Sequence, residues 1–288
     1  MIPASELILN PDGSIYHLNL KPEHIARDFF LVGDPNRVER ITQHFDHIEF
    51  STQKREFKTQ TGSYKGKRIT VLSTGIGPDN IDIVMNELDA LVNIDLHTRK
   101  PKEVLTPLHI IRLGTSGSLQ AEIPCDSIVI GQYGLGMDNM LRSYWLEGIT
   151  ESAMEEAFIK HTNWDSSKGR PYIVKGSTLL EKQFESLRTF KGITGTASGF
   201  YGPQGRVLRL KIQDADLNAK MDTFEFEDCK ITNLEMETAA LYGLGKLLGH
   251  ECLSLNAIIA NRANGTFSKD PYKAVDEMIL YALEKLTE

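Results

Sequence analysis

The stretch Lys230-Ile231-Thr232-Asn233-Leu234-Glu235-Met236-Glu237-Thr238 decides how the chain is read. It is a short run with the look of a buried strand, and it stops on two acids. From Thr238 the pattern changes to helical spacing, with apolar Leu241, Leu244, Leu247 and Leu248. Glu235 and Glu237 therefore sit where a strand over Lys230–Met236 hands over to a helix over Glu237–Leu248. In open α/β sheets ligands bind outside the carboxyl ends of the strands. A carboxylate there accepts hydrogen bonds from hydroxyls and suits a sugar diol. The competing reading is plainer: Glu237 is an acid at a helix start, complementing the macrodipole.

The same alternation runs through the chain. Strands are expected at Phe29–Gly33, Arg68–Gly75, His109–Gly117, Ser127–Gln132, Tyr172–Ser177, Gly192–Ser198 and Cys252–Ala260. Helices are expected at Arg37–Phe45, Asp79–Leu91, Ser152–Thr162, Leu179–Phe190 and Pro271–Leu286. Ile81, Val84, Met85, Leu88 and Leu91 form a clear helical stripe. Strands alternating with helices imply an α/β sheet with crossover helices. Asn93–Leu108 is polar, carries Pro101 and Pro107, and reads as a surface connection. Gln213–Glu227 is acidic and weakly patterned, and reads as a loop with some helix or as a flap beside a site.

With 288 residues, the chain is long enough for one large α/β domain or two small ones. Its net charge of −7 and the absence of a Lys/Arg-rich run argue against a nucleic-acid partner. Cys125, Cys229 and Cys252 are widely spaced, without metal-ligand spacing, and fit reduced thiols in a cytoplasmic protein. The start, Met1-Ile2-Pro3-Ala4-Ser5, lacks a secretory pattern. No apolar run has the length to span a bilayer, so no membrane partner is expected.

Three further segments carry candidate chemistry. Gly33-Asp34-Pro35-Asn36-Arg37 is a strand end, a turn and a helix start. Glycine lets the backbone approach an anion, the helix N-terminus favours negative charge, and Arg37 adds a bidentate phosphate donor. Arg112-Leu113-Gly114-Thr115-Ser116-Gly117 follows the apolar pair Ile110-Ile111. An arginine there is costly unless paired, so Arg112 is either an anion ligand or half of a structural ion pair. Phe200-Tyr201-Gly202-Pro203-Gln204-Gly205-Arg206 combines an aromatic face with an amide and a guanidinium. It suits a flat heterocycle stacked on Phe200 and read at its edge by Gln204 and Arg206. The plain readings are a strand-turn-helix with a surface arginine for the first, a structural ion pair of Arg112 for the second, and a surface turn with Phe200 packed inward for the third.

Taken in order, Gly33–Val38, Ser73–Gly77, Arg112–Gly117, Phe200–Arg206 and Glu235–Thr238 resemble the motifs of the nucleoside phosphorylase family, and within it the uridine phosphorylases. The likeness spans about residues 16–286. It implies a single domain over 1–288, with 1–15 as an N-terminal extension, built on a central mixed, partly barrel-like β-sheet flanked by helices.

The resemblance also implies roles. Gly33, Arg37, Arg112 and Thr115 would hold phosphate, joined by Arg55 from a neighbouring subunit. Met236 and Glu237 would hold the ribose hydroxyls, with the neighbour's His17 near the 5′-hydroxyl. Gln204 and Arg206 would read uracil beside Phe200, with Arg262 close to the base. Glu237, Arg112 and Arg206 would be the catalytic set. Purine-specific hexameric relatives use an aspartate where this chain has Asn261-Arg262. Inorganic phosphate would be the co-substrate, with no cofactor required. A potassium site is implied near Glu56 and Ile76, with Asn80 standing where the family has serine. Self-association into a dimer or a trimer of dimers is implied too, and Gly136–Ile149 departs from the bacterial pattern.

The expected reaction is phosphorolysis of uridine to uracil and ribose 1-phosphate. Phosphate attacks C1′ as positive charge develops on the ribose, and arginines supply placement and electrostatics. The alternatives are a purine nucleoside phosphorylase, a nucleosidase using water, and a nucleoside-binding protein without turnover.

Overall fold

The computed structural model describes residues 1–288. The chain begins with β1 (Asp28–Val32), α1 (Pro35–Thr42), β2 (His47–Lys54), β3 (Phe57–Tyr64), β4 (Lys67–Ser73) and α2 (Pro78–Asn93). A two-residue pair, β5 (Ile94–Asp95) and β6 (Lys100–Pro101), leads into β7 (His109–Ser118) and β8 (Ile128–Gly136). Then come α3 (Ser152–Thr162), β9 (Tyr172–Lys175), α4 (Thr178–Phe184), β10 (Thr189–Thr196), α5 (Leu217–Asp222) and β11 (Glu225–Phe226). The last elements are β12 (Cys229–Glu235), α6 (Thr238–Leu248), β13 (Glu251–Asn261), β14 (Thr266–Phe267) and α7 (Pro271–Thr287).

One mixed sheet runs β11-β12-β10-β8-β13-β7-β1-β4-β3-β2. It curls on itself because β12 also pairs antiparallel with β7, Asn233 opposite Ser118 and Leu234 opposite Gly117. Strands β7, β13, β8, β10 and β12 thus close a five-stranded barrel, and β1 to β4 extend from it as an open wing. The pairs β1–β4, β1–β7, β7–β13, β8–β10 and β10–β12 are parallel. Helices cover both faces. The α2 stripe (Ile81, Val84, Met85, Leu88, Leu91) packs with Leu241 and Leu244 of α6 on one side. Val38 and Ile41 of α1 join Val275, Met278, Ile279 and Leu283 of α7 on the other. Gly134 lets α6 lie close to β8: a Cβ there would fall 2.6 Å from the Cα of Ala239. No helix is long and apolar enough to cross a membrane.

The expected α/β architecture with a partly barrel-like sheet is what the chain forms, and several elements differ in detail. The hairpin β2–β3 is absent from the periodicity reading. β2 is a largely exposed edge strand, and the buried positions of β3 include Thr59, Gln60, Thr61 and Gly62, so neither shows an apolar alternation. Helix α4 stops at Phe184 rather than Phe190, and Thr189-Phe190 already belong to β10. β8 runs on to Gly136, where Tyr133–Gly136 pair with both β9 and β10. Within Asn93–Leu108 the β5–β6 hairpin anchors the N-terminal residues: Ile2 N–H donates to Arg99 O at 2.8 Å, and the Arg99 side chain returns a bond to Ile2 O at 3.0 Å. Gln213–Glu227 holds α5 and β11. In Gly136–Ile149, Leu141 packs on Gly243 of α6, and the Tyr144 hydroxyl donates to Asp82 of α2 at 2.5 Å.

Candidate active site

Strands β1, β4, β7 and β12 point their carboxyl ends at one cavity of about 680 Å³. Three helices begin at its wall. Asp34 precedes α1 and accepts from Asn36 N–H at 2.9 Å; Gly77 precedes α2, and Glu237 precedes α6. Each N-terminus is met by a carboxylate: Asp34 at α1, Glu237 at Gly77 before α2, and Glu235 at α6.

Nine of the sequence-predicted residues line this cavity: Gly33, Arg37, Arg112, Thr115, Phe200, Gln204, Arg206, Met236 and Glu237. Glu56, Ile76 and Asn80 line it too. His17, Arg55 and Arg262 do not. Arg55 is exposed at the β2–β3 turn, with φ 55°, beside cavity-lining Glu56. His17 lies outside the cavity, its Nδ1 held 2.6 Å from Glu87 Oε1, while Glu87 also accepts the backbone N–H groups of His17 and Leu18. Arg262 sits behind Gly117, its Cδ 3.5 Å from where a Cβ of Gly117 would lie.

The two acids that open the sequence argument have different tasks. Glu235 is the helix-start acid: its carboxylate accepts from Glu237 N–H at 3.0 Å, from Thr238 N–H at 3.0 Å and from the Thr196 hydroxyl at 2.7 Å. Glu237 makes no capping bond. Its Oε1 accepts from Gly77 N–H at 2.8 Å, and its Oε2 accepts from Arg112 Nη2. Glu237 is buried, and that burial, with the Glu235 charge, holds its carboxyl above the usual carboxylate range despite Arg112.

Arg112 is buried as well and is paired as its cost requires. Besides Glu237 it lies 3.2 Å from Glu235, and Nη1 donates to Asn256 Oδ1 at 3.3 Å. Arg37 donates to Leu113 O at 3.2 Å. Burial, then the charge of Arg112, draws Arg37 below the usual arginine range. Two guanidinium groups that line one cavity and feel each other's charge repel, and an anion between them relieves that repulsion.

On the Phe200–Arg206 loop, Arg206 lies 3.8 Å over the Phe200 ring and donates to Phe200 O at 2.7 Å and to Gln204 Oε1 at 2.6 Å. That bond orients the Gln204 amide. Burial lowers the pKa of Arg206. Arg262 is pushed down to about 10 by burial and by Arg206, and its buried Nη1 has no hydrogen-bond partner. Asn261 is turned away: its amide donates to Gln120 O and Ile123 O at 2.9 and 2.8 Å.

The potassium expectation rests on Glu56, Ile76 and Asn80. Within one chain, the Asn80 amide nitrogen donates to Glu56 Oε1 at 3.3 Å. No group of three or more His, Cys, Asp or Glu side chains is arranged for a metal anywhere in the chain. Gly77, Glu235, Thr196 and Asn256 escaped the sequence reading as working parts. Asn256 left one trace, a lone amide inside the apolar run Leu255–Ile258.

Known proteins resemble the chain along nearly its whole length. The family model of the phosphorylase superfamily matches residues 29–286. A uridine phosphorylase of Thermococcus kodakarensis is 28% identical over 283 residues, covering 96% of this chain and 88% of its own. A DeoD-type purine nucleoside phosphorylase of Listeria welshimeri is 25% identical over 271 residues, covering 93% and 97%. Among solved structures, a Trypanosoma brucei nucleoside phosphorylase described as showing uridine phosphorylase activity superposes with a TM-score of 0.88 at 28% identity, covering 98% of this chain and 99% of that one. A match to 258 of the 288 residues, through every strand that builds the cavity, places this chain in the phosphorylase superfamily, among the nucleoside phosphorylases.

Proposed function

We propose that the protein phosphorolyses uridine to uracil and ribose 1-phosphate. The observation that carries this reading is that one cavity brings together Arg37, Arg112 and Thr115, the acid Glu237, and the base-reading candidates Gln204 and Arg206. Phosphate is held by Arg37 and Arg112, with Gly33 and Thr115 beside them in the lining. Each Glu237 oxygen has one partner, Gly77 N–H or Arg112, and each retains a lone pair for one of two vicinal hydroxyls. The anion below C1′ attacks as the C1′–N bond breaks, and Gln204 and Arg206 take up charge developing on the leaving base. A nucleosidase needs no arginine cage, and a binding protein needs no anion beneath the sugar.

The base end favours a pyrimidine. The cavity-lining acids are Asp34, Glu56, Glu235 and Glu237, and the loop that supplies Phe200, Gln204 and Arg206 contributes none. Asn261 is committed to backbone carbonyls and offers nothing to a purine N7. Purified protein with saturating phosphate should cleave uridine at least a hundredfold faster than inosine. Equal rates would overturn the substrate assignment and leave a broad nucleoside phosphorylase.

We also infer that each site borrows Arg55 and His17 from a second copy of the chain. The cavity carries three arginines of its own against four carboxylates, a poor balance for a dianion. An added guanidinium corrects it. Arg55→Ala and Arg112→Ala subunits, each nearly inactive, should regain activity when mixed and allowed to exchange. Mixtures no more active than the separate variants would contradict a shared site.

A further inference from the structure

Arg112 has a neutral partner that none of the chemistry above uses. Asn256, on β13, stands opposite Gly114 of β7 in the parallel register. It is fully buried. Its Nδ2 donates to Ser254 Oγ at 3.1 Å, and Ser254 Oγ in turn accepts from the Thr238 hydroxyl at 2.9 Å. That chain ties the amide to the first turn of α6 and leaves Oδ1 facing Arg112 Nη1 at 3.3 Å. Gly114 completes the seat. A Cβ there would lie 1.9 Å from Arg112 Nη1 and 2.7 Å from Asn256 Oδ1, so the guanidinium lies across the glycine.

Arg112 already has Glu235 and Glu237 as counterions. A third carboxylate would add negative charge beside the anion, and an apolar neighbour would leave Glu235, 3.2 Å from Nη1, as the one group holding that nitrogen. An amide oxygen avoids both: it accepts a hydrogen bond without adding charge. We propose that Asn256 is a positioning residue that fixes the Arg112 guanidinium in its phosphate-binding orientation while preserving its charge. This inference rests on the assignment of Arg112 to phosphate.

The test is direct binding of inorganic phosphate by calorimetry, with thermal stability measured beside it. Asn256→Leu keeps the volume and removes the acceptor. It should weaken phosphate binding about tenfold, the loss of one charge-assisted hydrogen bond. Asn256→Asp keeps the shape and an acceptor but adds charge, and should weaken binding more than Asn256→Leu does. A residue that merely fills space gives another pattern, with the near-isosteric Asp closer to the unaltered protein than Leu. That order, or phosphate affinity within twofold of unaltered in both variants, overturns the proposal. If the unaltered protein binds no phosphate, the functional assignment fails and this inference fails with it. If the unaltered protein binds phosphate and Asn256→Leu binds equally well, only the positioning role is lost.

Discussion

Arg112→Ala is expected to lower kcat/KM for phosphate by about 10²–10³, the usual cost of removing one preorganised donor from a developing or transferred anion. The side chain is buried and its donors face Glu237, Glu235 and Asn256. Alanine takes away the anion ligand and also leaves two buried carboxylates without their cation. Breaking a buried pair from one side costs about 3–5 kcal/mol. Protonation of Glu237 offers partial relief, since its pKa is already raised by burial and by Glu235. The sign of the pH effect follows. A carboxyl whose folded pKa is raised above its unfolded value favours the fold at low pH, and this contribution is lost as pH rises through the folded pKa. Without Arg112 that pKa climbs further. The Tm deficit of Arg112→Ala relative to the unaltered protein should therefore be largest near neutral pH and shrink on acidification. A variant that keeps phosphate kcat/KM within threefold, with a pH-independent Tm difference, would remove Arg112 from both roles.

The second large effect is at the base. Uracil presents O2, N3–H and O4 along one edge. Gln204 is buried, and Arg206 donates to its Oε1, so Nε2 remains a donor and Oε1 keeps one lone pair. The amide can give a bond to a uracil carbonyl and accept N3–H, while an Arg206 nitrogen not engaged by Phe200 O or Gln204 donates to the second carbonyl. Cytosine has a lone pair at N3 and an amine in place of O4. The Gln204 oxygen then meets a lone pair and Arg206 meets another donor. Each buried mispairing costs about 1–3 kcal/mol. A site built on polar pairing rejects such an analogue by on the order of 10⁴. Uridine should exceed cytidine in kcat/KM by that order, and Gln204→Ala should narrow the gap by weakening uridine. Comparable constants for the two nucleosides in the unaltered protein would show that this loop does not read the base.

What was legible in the sequence was whatever local pattern controls. The α2 stripe and the apolar strands β1, β7 and β13 announce themselves by period, and the strand-to-turn-to-helix junctions at Gly33 and Glu237 mark the cavity wall. The β2–β3 hairpin did not, because an exposed edge strand beside a polar, buried β3 lacks amphipathic alternation. Barrel closure depends on two residue pairs between β12 and β7, more than a hundred positions apart, and no local signal encodes it. The division of labour between Glu235 and Glu237 was hidden for a related reason. Which acid caps α6 and which bridges Gly77 N–H to Arg112 depends on the backbone at Glu237, where φ is −139° and ψ is −28°. Composition at that junction is the same either way.

The proposed reaction is one in which phosphate, rather than water, takes the ribose. It is tested most directly by following uridine cleavage with phosphorus NMR while uracil is measured by absorbance. Phosphorolysis gives ribose 1-phosphate equal in amount to uracil, with no uracil released when phosphate is withheld. Uracil formed at the same rate without phosphate, with free ribose as the other product, would contradict it.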